Sequence, residues 1–107
     1  VGRTGELELL VLLAVLQLDG NAYGVTIREE LERRTSRTLT LGTVYKTLGR
    51  LERKGHLRAR TAPPTRERGG RRKKLYQATA SGLKAARCLL ADLGRMAKGL
   101  EPELGVP

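Results

Sequence analysis

Eight cationic side chains fall between Leu57 and Lys74: Arg58, Arg60, Arg66, Arg68, Arg71, Arg72, Lys73 and Lys74. A single acid, Glu67, stands among them. The surrounding stretch "TAPPTRERGGRRKKLYQAT", residues 61–79, is too short and too polar to bury much, so these cations are placed to neutralise a polyanion. A second set of donors stands at helical spacing in "LGTVYKTLGRLERKG". At about 100° per residue, Leu41, Val44, Leu48 and Leu51 form one stripe, while Thr43, Lys46, Thr47, Arg50 and Lys54 form the opposite one. The major groove of DNA selects short polar and long cationic side chains on one exposed helix face. Threonine can hydrogen-bond bases or touch a thymine methyl, and lysine or arginine reaches guanine or phosphate. A merely solvated face would interleave glutamates for pairing, and this one carries none.

The whole chain is 107 residues with a formal charge of +10, of which the span Leu57–Lys74 supplies seven. Charge runs are most often solvated faces, but that reading fits evenly spread charge better than this concentration. The apolar fraction of 39% supports one modest core, in a chain that gains from a second copy of itself.

The elements that must position these donors are legible in order. "GELELLVLLAVLQLDG" reads as a buried first helix, ended by Asp19 and Gly20. "AYGVTIREELERRT" reads as an amphipathic second helix with Asn21 as N-cap and Arg33 and Arg34 at its C-terminus. Thr40 is the expected N-cap of the third helix and Gly55 its terminator. "HLRART" and "KKLYQAT", joined by eleven polar residues, are expected to pair as a hairpin, with Pro63, Pro64, Gly69 and Gly70 shaping its tip. In "ASGLKAARCLLADLGRMAKGL", Leu83, Ala86, Leu90, Leu93, Ala97 and Leu100 follow a heptad seam, read as a dimer interface. The tail "EPELGVP" is expected to be disordered. The expected architecture is mainly α within the α+β class: a winged helix-turn-helix (residues 1–79) with a two-stranded basic wing, then a C-terminal dimerisation helix (80–100) and a tail (101–107).

At this point "AYGVTI", "LGTVYKTLGRLERKG", "RRKKLYQAT" and "ASGLKAAR" together resemble the PadR family of bacterial transcriptional regulators, in order from about Glu6 to about Leu100. The resemblance implies a homodimeric repressor whose third helix enters the major groove of double-stranded DNA. Thr43, Tyr45, Lys46, Thr47 and Arg50 would then read bases or contact phosphate. Many relatives have proline where this chain has Lys46, so a lysine there adds a phosphate contact instead. Relatives release DNA when a small planar molecule enters a cavity at the dimer interface, commonly lined by tryptophan. This chain has no Trp and no Phe, so a comparable cavity would be walled by Leu, Val and Met96 and suit an aliphatic effector or none.

Other function classes find little support. His56 and Cys88 are the only His and Cys, too far apart in sequence for the usual metal clusters and a poor catalytic pair, so neither a metal nor a cofactor is expected. His56 reads as a hinge between helix and strand and Cys88 as a small filler or surface thiol. Gly69 and Gly70 lack Walker spacing. One cysteine makes no internal disulfide, which points to a reducing cytoplasmic setting, and a DNA partner would place the chain at the nucleoid. Leu9 to Leu16 resembles a signal-peptide core, but Glu6 and Glu8 open it, no cleavage site follows, and it is too short to span a bilayer. The chain opens on Val1, so its first residues are expected to have been removed or left out of the numbering. A non-specific nucleic-acid binder and a winged-helix protein adaptor stand as alternatives. The first lacks an evident stacking platform, since Tyr23, Tyr45 and Tyr76 are the only aromatics and share no spacing.

Overall fold

A computed structural model describes residues 4–62 and 73–105. Along the chain run α1 (Glu6–Leu18), α2 (Gly24–Arg34), α3 (Leu41–Arg53), β1 (Leu57–Thr61), β2 (Lys74–Ala78), α4 (Ala80–Ala97) and α5 (Glu101–Leu104). The strands pair antiparallel, Leu57 opposite Ala78 and Thr61 opposite Lys74, and the Ala62 N–H adds one more bond to the Lys73 carbonyl. This is the expected winged helix-turn-helix with a C-terminal helix. The expected wing tip, with Pro63, Pro64, Arg66, Arg68, Gly69, Gly70, Arg71 and Arg72, lies outside the described residues.

Local chemistry sets most of the boundaries. Leucine-rich α1 stops where Asp19 and then Gly20 turn left-handed, at φ 37° and 93°. Thr40 caps α3 by accepting a bond from the Thr43 N–H at 3.1 Å. At its other end Gly55 (φ 78°) forms a Schellman turn: its N–H donates to the Glu52 carbonyl and the His56 N–H to the Leu51 carbonyl. The start of α2 differs from expectation. Tyr23, not Asn21, is the N-cap, and its N–H donates to the Thr26 hydroxyl, which in turn donates to the Asn21 carbonyl. Asn21 thus contributes its backbone rather than a capping side chain. The tail also differs, because Glu101–Leu104 form one helical turn with Pro102 in its first positions, where a missing N–H costs nothing.

One core joins these elements: Val11 and Leu12 of α1, Ile27 of α2, Val44, Leu48 and Leu51 of α3, Leu57 and Tyr76 of the wing, and Ala86 of α4. Burying that many aliphatic side chains, at roughly 1.5–3 kcal/mol each, drives the three helices together. The root of α4 is held by Thr79, whose hydroxyl accepts from the Gly82 N–H and donates to the Gly55 carbonyl at 2.6 Å. The heptad seam therefore divides. Ala86, expected in a dimer interface, is 3% exposed in the protomer's own core, with Leu89 packed beside it. Its small side chain is what lets α4 approach the core. Beyond it, Leu90, Leu93, Met96 and Leu100 stand exposed.

Candidate nucleic-acid interface

The face of α3 turned from the core carries Gly42, Lys46, Gly49, Arg50 and Arg53, with Thr43 at its edge. Lys46 and Arg50 are exposed, as expected, and Thr43 is half-buried beside the Thr40 hydroxyl, 2.9 Å away. Gly42 and Gly49 would meet little if they bore a Cβ, so this face is low as well as cationic and can approach a surface closely. Arg53, exposed in the last turn, belongs to this row although the sequence reading passed over it. The signal was available, since residues 46, 50 and 53 follow i, i+4, i+7.

Two members of the expected donor row turn out to do something else. Thr47 is 1% exposed and its hydroxyl donates to the Thr43 carbonyl at 2.9 Å, so it is turned into the protein rather than out from this face. Its angle, about 80° from the centre of the core stripe, puts it at the border between the two faces. Lys54 is mostly buried and its Nζ lies 2.6 Å from Glu8 Oε1, which ties α3 to α1 rather than leaving the charge for phosphate.

Tyr45 is half exposed, and its ring and hydroxyl lie against Gly24 at the start of α2. The structure gathers the three scattered tyrosines around the wing root. Lys73 Nζ sits 4.0 Å above the centre of the Tyr23 ring, and the Tyr76 N–H donates to the Ala22 carbonyl at 2.8 Å. Lys74 Nζ lies 3.2 Å from Glu52 Oε1 and 5.8 Å from the centre of the Tyr76 ring. The Glu52 carboxylate holds the Lys74 ammonium above its ordinary value, and burial pushes the Tyr76 phenol up, so both keep their protons at neutral pH. Sequence reasoning did not single out Tyr23, because nothing in its spacing announces the contact.

Arg33 and Arg34 of the second helix are engaged locally. Glu30, nearly buried, receives Arg33 at 2.7 Å and also Arg34. Arg37 pairs with Glu6 across to α1. His56 is buried at the hinge between α3 and β1, and Cys88 is exposed on α4. Among the described residues no three His, Cys, Asp or Glu side chains stand together as a metal site, and no helix is long and apolar enough to cross a membrane. Between α1, the wing and the start of α4 lies an open recess of about 440 Å³, bounded by Val15, Leu16, Arg58, Leu75, Tyr76 and Leu83.

The arrangement is a low, cationic helix face beside a cationic two-stranded wing. The chain resembles solved regulators over nearly its whole length. A PadR family transcriptional regulator from Eggerthella lenta is 27% identical, with 92% of this chain and 86% of that one covered at a TM-score of 0.71. The PcaV transcriptional regulator from Streptomyces coelicolor, solved with its natural ligand, is 25% identical at a TM-score of 0.71. The match covers 94% of this chain but 63% of that one. A PadR family transcription regulator from Clostridium difficile shares the fold at 23% identity and a TM-score of 0.72, over 94% and 98% of the two chains. No curated protein sequence matches the chain. Residues 12–87 match the model of the transcriptional regulator PadR-like family, and the chain belongs to that family.

Proposed function

We propose that the protein is a homodimeric, sequence-specific repressor that binds an inverted-repeat operator in double-stranded DNA. The observation that carries this reading is the acid-free face of α3, where Lys46, Arg50 and Arg53 stand exposed around two glycines, with Thr43 at the edge. Presented to a major groove, this face offers guanidinium and ammonium donors for guanine and phosphate, and Thr43 for a base edge or a thymine methyl. The wing cations Arg66, Arg68, Arg71 and Arg72 add affinity that depends on salt and not on sequence.

The exposed apolar side chains of α4 and of the turn that follows it support the second copy. Leu90, Leu93 and Leu100 are each about half exposed and Met96 more so, a cost in water that a matching stripe on a partner removes. Two such protomers related by a two-fold axis present their α3 helices to successive major grooves, about 34 Å apart. A small-molecule effector, of which PcaV's ligand is an example in a related fold, would find room in the recess between α1, the wing and α4.

The reading is tested by Leu90→Glu and Leu93→Glu together, followed by light scattering and DNA titration. A homodimer becomes a monomer and loses at least about tenfold in affinity for its operator, because each half-site then binds alone. A wild-type chain that scatters as a monomer and binds all duplexes equally contradicts it.

A further inference from the structure

Lys73 and Lys74 stand at the base of the wing, where two more phosphate contacts would be the simple expectation. Their surroundings say otherwise. Lys73 Nζ is centred over the Tyr23 ring at 4.0 Å, and Lys74 Nζ is 3.2 Å from the Glu52 carboxylate. Two residues further on the backbone is tied as well, by the Tyr76 N–H to the Ala22 carbonyl at 2.8 Å. Lys73 and Tyr76 are therefore fastened to the segment that opens α2, and Lys74 to the last turn of α3. The cap of α2 is in turn seated under Tyr45 of α3, where Gly24 leaves room for it. A continuous line of contacts thus runs from the wing strand to the recognition helix.

We propose that Tyr23 is a positioning residue for DNA binding. With Glu52 it locks the wing root through Lys73 and Lys74, and the two lysines set the angle between wing and α3 rather than neutralising phosphates. This rests on the DNA-binding reading above. A cation already shared with an aromatic face, or with a carboxylate, gains less from a phosphate than a solvated one, because the first partner must be surrendered. The lock also anchors the chain immediately after Arg71 and Arg72. Without it, the helix and the wing engage DNA as two loosely linked parts, and each pays its own ordering cost.

The test uses the full chain and a mixed-sequence duplex titrated over a range of salt, with hydrogen exchange on the free protein. Tyr23→Leu changes no charge. The lock predicts that it lowers affinity about threefold or more, the size of a partly exposed cation–π contact, and leaves the salt slope unchanged. Lys73→Met is predicted to cost about the same, and the double variant no more than either single one. Tyr23→Phe, which keeps the ring, restores binding. In the free protein the amides of residues 75 to 78 exchange faster in Tyr23→Leu and return to normal in Tyr23→Phe. The proposal is overturned if Tyr23→Leu binds as wild type while Lys73→Met flattens the salt slope by about one counterion, the signature of a phosphate contact. Unchanged exchange in β2 overturns it equally. Faster exchange in a protein that binds no duplex leaves the lock standing as architecture and sinks the DNA-binding reading instead.

Discussion

The Tyr45 hydroxyl lies over Gly24 so closely that a Cβ built on the glycine would come within 2.4 Å of it. This contact joins the start of α2 to the outer side of α3 and fixes the spacing of the helix-turn-helix. Gly24→Ala is expected to push the Tyr45 ring away, lowering stability by about 1 kcal/mol, the low end for overpacking because the ring can swing into solvent. In a Tyr45→Ala background the same change becomes neutral or favourable, since alanine suits a helix better than glycine. Thermal unfolding of the single and double variants measures the coupling.

Gly82 faces a harder obstacle. A Cβ there would stand 2.2 Å from the His56 carbonyl oxygen, a backbone atom that already accepts the Thr79 N–H. Gly82→Ala must shift α4 or the hinge, and a loss of about 3 kcal/mol is expected, visible as a fall in Tm of roughly 10 °C or more. Thr79→Val, which removes the cap and the bond to Gly55, costs about 1–2 kcal/mol.

The buried hydroxyl of Thr47 separates core from interface. Thr47→Val is expected to leave DNA affinity within about twofold of wild type, while Arg50→Ala lowers it by about tenfold or more, the scale of one good groove contact. Titration of both variants against one duplex checks this. A large loss for Thr47→Val alone would return that residue to the DNA-facing row.

Glu30 supplies a pH dependence. Its hydrogen bonds with Arg33, and then with Arg34, hold the carboxyl below its ordinary value of 4.5. A lowered folded-state pKa means that the pairing stabilises fully above the ordinary carboxylate range and is lost as pH falls through the lowered value. Glu30→Gln is therefore expected to be less stable than wild type near neutrality. The difference should close below pH 4.5, as measured by denaturant midpoints across pH.

What was legible in the sequence was legible through local chemistry. Thr40 and Gly55 bound α3 by capping rules that act within a few residues, and the period of its leucines located the core face. Thr47 was misplaced because it sits at the border between the two stripes, where angle alone decides poorly. A threonine that bonds its own helix backbone gives no further sign in the sequence. Lys54 and Glu8 are 46 positions apart, and Tyr23 reaches Lys73, and Tyr76 the Ala22 carbonyl, only once the wing folds back on the helices. Ala86 kept perfect heptad spacing while packing into its own protomer. A seam's period marks an apolar face, not what that face packs against.

Selection of bound sequences from a random duplex library at about physiological salt, with the bound complex sized by light scattering, tests the central claim most directly. A homodimer enriching one inverted repeat, with half-sites one helical turn apart, is the predicted result. Tight binding with no enriched sequence, vanishing as salt rises, would contradict it and reduce the α3 face and the wing to a clamp on any polyanion.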